Sequence, residues 1–335
     1  MMNEFVGSNQ TYYFGSGRCV LLTSSKCLYF PSGRYESEFI EHRRSMLESW
    51  VQRVSRHPVL ARSEVWRHFV SCTDDKAWKV GKRKAERDEL VGAKLFLAID
   101  APESPLAPDT VELQVEGFGK FVHLLEKSVA NLQVTALDQI KKMIRHYRRE
   151  HLTVGNAFRQ LGTALDNDTA HCMLLYLLLA FPLILTNLSI LHGCDFLDPE
   201  KVKNALKYTG QAYEDIAKLC EDQPKTDWEP LSDKLHEYRG MLSAFPEILH
   251  LHKGALQKRR EYQRLGAEGK LDKQQVDGVV RRTDIVSYAV LAEMSHFREE
   301  LARDANDMMK AYLKEQIAFY RRVTEKLEDS LKQYS

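Results

Sequence analysis

The chain has 335 residues, of which 44% are apolar and 28% are charged, and its 48 basic and 47 acidic side chains give a net charge of +1. Overall charge therefore indicates no partner, and only local basic clusters can do so. Six cysteines without a CxxC pair support neither a disulfide framework nor a zinc site, which favours reduced cytosolic thiols. The first ten residues lack the pattern of a secretory signal.

Residues 1–32 are rich in Gly, Ser and Tyr and match no domain pattern, so we expect them to be poorly ordered. After Arg34, apolar residues at helical spacing predict an amphipathic helix that ends at His57-Pro58. Ser63 is a typical cap for a second short helix from Glu64 to Val70. These two helices are too small to fold alone and need a larger surface to pack on.

A basic segment follows at residues 76–87, where six of twelve positions are Lys or Arg and Trp78 lies among them. A solvated linker is the simpler interpretation, and a nuclear-localisation segment is conceivable. The sharper interpretation is a cationic segment whose aromatic side chain sits on an anionic membrane. Its candidate lipid-binding residues are Lys79, Lys82, Arg83 and Lys84. Three prolines, Pro102, Pro105 and Pro108, then mark a linker.

Residues 110–166 form the first long helical pattern, which no proline interrupts. Its centre carries five basic residues within nine positions. They are Lys141, Lys142, Arg145, Arg148 and Arg149. Spacings of three, four and seven put them on one broad face, where they repel each other unless an anion faces them. A solvated helix face is the alternative interpretation.

The run from Cys172 to His192 is apolar almost throughout and is long enough to be a transmembrane candidate. The amphipathic patterns on its two sides are similar, however, whereas a true span would place them on opposite sides of a membrane. We expect an insertion between helices, or a stretch that is absent from the working protein, more than a membrane span.

A second long helical pattern runs from Asp198 to about Gly269 and is interrupted by three prolines. Gly266, Gly269 and Gly278 are expected to mark the turn before the last helix. Basic residues crowd around that turn. The candidate lipid-binding residues among them are Lys253, Lys258, Arg259, Arg260 and Arg264. A basic end between two long antiparallel helices is a specific arrangement.

The last stretch, Arg282 to Tyr334, contains no Gly and no Pro, and its apolar residues keep helical spacing from Met294 to Leu331. An unbroken helix of this length would extend roughly 80 Å. Such a helix needs long partner helices, in its own chain or in a second copy. Histidines are scattered without metal-ligand spacing, so we expect no catalytic site, no metal and no cofactor.

Several segments resemble the SH3-PX-BAR sorting nexins. Residues 33–58 resemble the C-terminal half of a PX domain, and residues 78–89 (WKVGKRKAERDE) resemble the linker called the yoke. Phe118-Gly119-Lys120-Phe121, Phe245-Pro246-Glu247-Ile248, His252-Lys253-Gly254-Ala255 and residues 292–297 (AEMSHF) resemble the BAR domain. The resemblance divides the chain into an unmatched segment 1–32, a partial PX domain 33–75, a yoke 76–108 and a BAR domain 109–335 with an apolar insertion at about 171–194.

The resemblance implies an all-α fold, with an elongated three-helix BAR coiled-coil protomer preceded by the helical half of a PX domain. Two protomers would form a six-helix homodimer, and heterodimers with close paralogues are compatible with it. The family binds and bends phosphoinositide membranes during endocytosis and vesicle trafficking. Arg43 takes the place of the arginine that holds inositol phosphates, and Lys141 and Lys142 match basic membrane-facing positions. We therefore expect a cytoplasmic protein, peripheral on the plasma membrane and endocytic vesicles, that binds no nucleic acid.

The sequence also departs from that family. The first strands of the PX domain, with their Arg-Tyr motif, are not recognisable in residues 1–31, which puts headgroup specificity in doubt. No SH3 domain is present, so recruitment of dynamin and actin-nucleation regulators is not expected. The main alternative is a protein-only helical scaffold whose basic patches dock partners without lipid. A third hypothesis is an integral membrane protein anchored by Cys172 to His192.

Overall fold

The computed structural model describes residues 12–14, 17–19, 37–87, 99, 101–183 and 199–335, and its side chains are described in 40–87, 99, 101–165 and 200–335. A two-stranded antiparallel hairpin pairs β1 (Tyr12–Phe14) with β2 (Gly17–Cys19). The rest of the predicted segment 1–32 lies outside the described residues. Everything described after the hairpin is helical or connects helices, which confirms the predicted all-α fold class.

In the described residues, eight α-helices follow the hairpin in chain order. They are α1 (Ser37–Arg56), α2 (Glu64–Ser71), α3 (Asp75–Glu86), α4 (Pro108–Lys141), α5 (Arg148–Leu183), α6 (Pro199–Asp222), α7 (Trp228–Ala267) and α8 (Lys273–Leu331). A π-helical segment, Lys142–Tyr147, joins α4 to α5 without a break. Short 3-10 helices lie at Leu60–Arg62, Gln223–Lys225 and Lys332–Tyr334.

Local sequence explains where the first three helices begin and end. α1 stops before Pro58, and the His57 ring Nδ1 accepts hydrogen bonds from the next two free backbone N–H groups, of Val59 and Leu60. Ser63 caps α2 by accepting from the Trp66 N–H at 3.1 Å, which confirms the predicted cap. Asp74 caps α3 in the same way.

The first and the last long helix begin earlier than predicted, whereas the predicted stretch 198–269 divides into α6 and α7. Pro108 is the first residue of α4, where its missing N–H costs nothing. α8 spans 59 residues and begins nine residues before Arg282. The turn between α7 and α8 is centred on Gly269, whose φ of 70° favours glycine, and Lys270 N–H donates to the Leu265 carbonyl at 2.9 Å. The prediction that Gly278 belongs to this turn is wrong, since it lies inside α8.

Two compact units divide the chain. The first comprises residues 1–131 and 235–304, and the second comprises residues 132–234 and 305–335. In the first unit, the rings of Phe118, Phe245 and Phe297 pack edge to face around a fully buried Phe118. Each unit therefore has its own apolar core.

The core of the second unit contains Met143, Ile216, Cys220 and Phe319. Burial raises the pKa of the Cys220 thiol to about 11, which keeps it protonated and unreactive at neutral pH.

Glycines bring α5 and α6 unusually close in the second unit. A Cβ atom added at Gly155 would lie 2.8 Å from the Gly210 carbonyl oxygen, and one added at Gly210 would lie 2.8 Å from the Gly155 carbonyl oxygen. Gly162 faces the Lys203 carbonyl in a similar way, at 3.2 Å. The two helices can pack at this distance only because these positions lack side chains.

Within the described part of the chain, no helix is both long enough and apolar enough to cross a membrane. The backbone of α5 continues through Leu183 into the apolar run that begins at Cys172. The side chains of that run, and its residues from 184 onward, lie outside the described residues, so the predicted insertion at about 171–194 stays a prediction.

Candidate functional site

The five basic residues at the α4–α5 junction form the first candidate site, here called the junction cluster. They are Lys141, Lys142, Arg145, Arg148 and Arg149, all in the second unit. Four are exposed and Lys142 is half-buried. The π-helical segment runs through the middle of this cluster, and π-helical turns inside α-helices are frequent at functional sites.

Acidic neighbours neutralise part of the junction cluster. Lys142 pairs with Asp138 at 2.8 Å, and this hydrogen bond raises the pKa of Lys142. Arg148 pairs with Glu221 of α6 at 2.8 Å. Lys141 and Arg145 make no ion pair with any residue that the structure describes. Their positive charge is therefore available to an anion.

A second basic group lies on α7, in the first unit, and is here called the α7 cluster. Its exposed members are Lys253, Lys258, Arg260 and Arg264. Arg260 pairs with Glu112 of α4, and this hydrogen bond raises the pKa of Arg260. Arg264 pairs with Glu268 at 2.5 Å. Lys253 has no ion pair among the described residues.

Arg259 does not belong with the exposed residues of the α7 cluster, contrary to the sequence prediction. The structure buries it to 8% exposure and pairs its guanidinium with Asp284 of α8 at 2.6 Å. Its charge is already balanced inside the first unit, so Arg259 is a structural ion-pair residue and cannot reach a surface ligand.

The basic segment at 76–87 is a capped helix, α3, and not the solvated linker of the simpler interpretation. Lys79, Arg83 and Lys84 are exposed, while Lys82 is half-buried and lies 3.8 Å from Glu86. Trp78 is buried at 7% exposure and packs on the rings of His68 and Phe69. The expectation that Trp78 sits on a membrane is therefore wrong, because its ring anchors α3 to α2.

Arg43, the predicted phosphoinositide ligand, lies half-buried on α1. The aromatic core beside this helix is formed by Trp50, Trp66 and Phe69, with Trp50 and Trp66 in edge contact at 5.8 Å. Arg43 belongs to the first unit, as the α7 cluster does, and the junction cluster belongs to the second unit.

Sequence reasoning missed a buried ionic cluster that fastens α1 to α7 and α8 in the first unit. Arg53 donates to Glu237 at 2.7 Å and to Asp304 at 2.5 Å, and its guanidinium lies 5.2 Å from the centre of the Tyr238 ring. Arg56 donates to Glu300 at 2.7 Å. The sequence pattern that could have indicated this cluster is the pair Arg53 and Arg56, three residues apart beside the apolar face of α1.

Comparison with known proteins identifies the family. The family model described as "WASP-binding domain of Sorting nexin protein" matches residues 74–173 and 192–335, well over half of the chain. The chain belongs to the sorting nexin family. A PX domain model also matches residues 25–73. The family model leaves residues 174–191 of this sorting nexin unmatched, within the predicted insertion.

Curated relatives agree with this assignment. The sorting nexin is 36% identical over 303 residues to Sorting nexin-33 of Homo sapiens, and the alignment covers 90% of this chain and 48% of the relative. It is 38% identical over 307 residues to Sorting nexin-18 of Mus musculus, and that alignment covers 90% of this chain and 46% of the relative. It is 33% identical over 303 residues to Sorting nexin lst-4 of Caenorhabditis elegans. The chain thus spans about half the length of the curated relatives it matches.

The ionic cluster of this sorting nexin makes its stability depend on acid pH. Burial alone would raise the pKa of Glu300, but the hydrogen bond from Arg56 and the charges of Arg56 and Arg303 outweigh burial and lower it. A carboxyl group whose pKa is lower in the folded state than in the unfolded state stabilises the fold fully above the unfolded-state pKa of about 4.3. This stabilisation is lost as the pH falls through the folded-state pKa. We expect Glu300→Gln to lower the free energy of unfolding at pH 7. The difference from wild type should shrink in urea titrations as the pH falls below about 4.3, and it should vanish once the pH is below the lowered folded-state pKa of Glu300. A difference that persists in acid would contradict this role for the Glu300 carboxylate.

Proposed function

We propose that this sorting nexin chain binds anionic, phosphoinositide-containing membranes as a homodimer and generates or senses their curvature in endocytosis and vesicle trafficking. The observation that carries the proposal is the junction cluster. Lys141 and Arg145 are exposed, positive and without an ion pair in the described residues, on helices that match the sorting nexin domain. Unpaired charges of one sign on a helical surface repel one another, and an anion that faces them relieves this repulsion.

The energetics require many such contacts on one rigid body. Each Lys or Arg near an anionic bilayer contributes about 1 kcal/mol, so one protomer binds weakly and a dimer doubles the number of contacts. The exposed members of the α7 cluster (Lys253, Lys258, Arg260 and Arg264) and of the predicted α3 residues (Lys79, Arg83 and Lys84) would add to this attraction. A stiff helical scaffold then converts many weak contacts into a preferred membrane curvature.

An exposed apolar stripe on α8 supports the homodimer. Met309, Leu313, Ile317 and Tyr320 follow one another at steps of four, four and three residues, and are 39%, 50%, 51% and 62% exposed. These steps place them on one face of the helix. Large apolar side chains in a row on a soluble helix usually mark an interface. A second copy of the same stripe is the partner that we propose.

The PX-derived helices and the partners complete the proposal. Residues 33–75 are proposed as a partial PX domain, 76–108 as a yoke and 109–335 as a BAR domain, with Arg43 contributing to phosphoinositide binding. The description of the matched family names WASP as a ligand, and we extend the proposal to a protein partner of that class. The proposed location is the cytoplasmic face of membranes.

Vesicle cosedimentation tests the lipid part of the proposal. Lys141→Glu combined with Arg145→Glu should lower the affinity for phosphatidylserine- and phosphoinositide-containing vesicles at least about tenfold, because charge reversal replaces attraction with repulsion. Binding to pure phosphatidylcholine vesicles gives the background that any apolar segment contributes. The wild-type affinity should also fall with added salt.

The matched control reverses Arg62 and Arg67, which are exposed, lie outside the predicted sites and produce the same change in net charge. If the two double variants bind anionic vesicles equally well, the junction cluster is not the lipid surface. Equal wild-type binding to anionic and neutral vesicles would instead favour the protein-only scaffold. Resistance of the cellular protein to carbonate extraction would favour an integral membrane protein.

A further inference from the structure

Two histidine rings meet where the end of α1 contacts α8 in the first unit, and they are here called the histidine pair. His57 follows the last residue of α1, and its ring centre lies 4.7 Å from that of His296, in edge-to-face contact. The His57 side chain is 12% exposed and His296 is half-buried. Histidine is the side chain that ordinarily changes charge between pH 5 and 8, so this contact joins two titratable groups that are partly removed from water.

The hydrogen bonds of His57 require an uncharged ring. Its Nδ1 accepts from the backbone N–H groups of Val59 at 3.2 Å and Leu60 at 3.1 Å. The ring hydrogen of the neutral form is therefore assigned to Nε2, which donates to the Glu293 carboxylate at 3.1 Å. A proton on Nδ1 would turn this acceptor into a donor that faces two other donors. Both backbone N–H groups would then lose their acceptor.

The environment of His296 also opposes a positive charge. Burial lowers the pKa of His296, and a charge on His57 would lower it further, since two adjacent imidazolium rings repel each other. Three carboxylates of α8 raise the pKa of His296 but do not outweigh burial. They belong to Glu293, Glu299 and Glu300.

These carboxylates cannot strongly stabilise a charged pair. Glu293 is 48% exposed, so water screens its attraction to a protonated His57. Glu300 is already paired with Arg56 at 2.7 Å, and Arg56 brings a further positive charge next to His57. The contact between α1 and α8 thus favours two uncharged rings.

The sign of the pH dependence follows from this preference. A histidine that is free of the contact has a pKa of about 6.5, so the open form of the contact binds more protons than the closed form below about pH 7. Between pH 7.5 and 5.5 the equilibrium for opening should rise by up to about tenfold for each histidine. The ionic cluster does not change over this range, because the pKa of Glu300 is lowered and its carboxylate stays ionised.

We propose that the histidine pair is an acid-sensitive contact, which holds the end of α1 on α8 at neutral pH and loosens in mildly acidic solution. The ion pairs of Arg53 and Arg56 remain, so the contact opens more often while α1 stays attached. This regulation goes beyond the proposed membrane function, because it requires no lipid and acts within the first unit of the chain.

Hydrogen exchange of the full chain in solution, without vesicles, tests the proposal. Protection of the amides in residues 50–62, corrected for the intrinsic pH dependence of exchange, should fall at least about fivefold between pH 7.5 and 5.5 in the wild type. The double variant His57→Asn, His296→Gln should keep its protection at both pH values within about twofold. Its asparagine offers an amide oxygen that can accept from the same backbone N–H groups, and neither new side chain titrates.

The matched control is His250→Gln, which removes an exposed histidine of α7 in the same unit and should leave the wild-type pH dependence intact. Equal protection of the wild type at pH 7.5 and 5.5 would overturn the proposal, and this comparison needs no variant. A double variant that loses protection in acid as the wild type does would also overturn it, because another group would then be responsible. Neither result bears on vesicle binding, so the proposed function stands or fails separately.

Discussion

Replacing Leu313 and Ile317 with glutamate is expected to separate the proposed homodimer into folded monomers, with a dimer Kd raised at least about 100-fold. Both side chains are about half exposed in the single chain, so the substitutions remove little from the core of the protomer. In a two-fold interface each substitution counts twice, which places four carboxylates in the contact. Each desolvated carboxylate costs several kcal/mol when it has no partner.

Sedimentation velocity over a concentration series measures this change directly. The control replaces Leu113 and Leu124 with glutamate. These two leucines of α4 are 71% and 65% exposed and belong to the first unit, and their replacement makes the same change in charge and side-chain type. If both double variants remain dimeric, α8 does not supply the contact. If both become monomeric, charge and not position is the cause.

Arg53→Ala is expected to destabilise the attachment of α1 to the long helices of the first unit by about 3 kcal/mol. Arg53 is 15% exposed and balances Glu237 and Asp304, while Tyr238 donates to the same Asp304 oxygen at 2.8 Å. Removal of the guanidinium deletes the close ion pairs that Arg53 makes with Glu237 and Asp304, and leaves Asp304 with the more distant guanidinium of Arg56, at 3.5 Å. Removing one member of a buried ion pair destabilises a protein by far more than the intact pair stabilises it.

Urea unfolding and hydrogen exchange over residues 40–56 measure the effect of Arg53→Ala. The control is Arg44→Ala on the same helix, where the ion pairs to Glu41 and Glu48 are exposed and contribute little. Arg44→Ala should change stability by less than about 0.5 kcal/mol. Arg53→Lys should recover part of the lost stability, because an ammonium group can make only some of the hydrogen bonds that the planar guanidinium makes. Equal effects of Arg53→Ala and Arg44→Ala would show that the cluster does not hold α1.

Much of the fold could be predicted from the sequence because it depends on local chemistry. The helix that ends before Pro58, the Ser63 cap and the turn at Gly269 follow from backbone preferences of single residues. Apolar spacing likewise predicted the long helices, since helical period is a property of the sequence. The family motifs added what spacing alone could not, namely that these helices belong to a sorting nexin.

Side-chain environments could not be predicted in the same way, because they depend on residues distant in sequence. Arg259 and Arg260 are neighbours of one type, yet the first is buried on Asp284 and the second is exposed beside Glu112. Trp78 looked like a membrane anchor only while His68 and Phe69 were not known to face it. The π-helical turn was hidden because an extra residue in a long apolar pattern resembles ordinary variation in spacing.

The aromatic packing of α1–α3 has a spectroscopic consequence. Of the four tryptophans, Trp50, Trp66 and Trp78 lie in these helices, and only Trp228 lies in the long ones. Intrinsic fluorescence therefore reports mainly on the segment α1–α3, whereas far-ultraviolet circular dichroism reports mainly on α4–α8. A red shift of the emission that precedes the loss of helical signal during titration would reveal that this segment detaches while the long helices stay folded, without any added label.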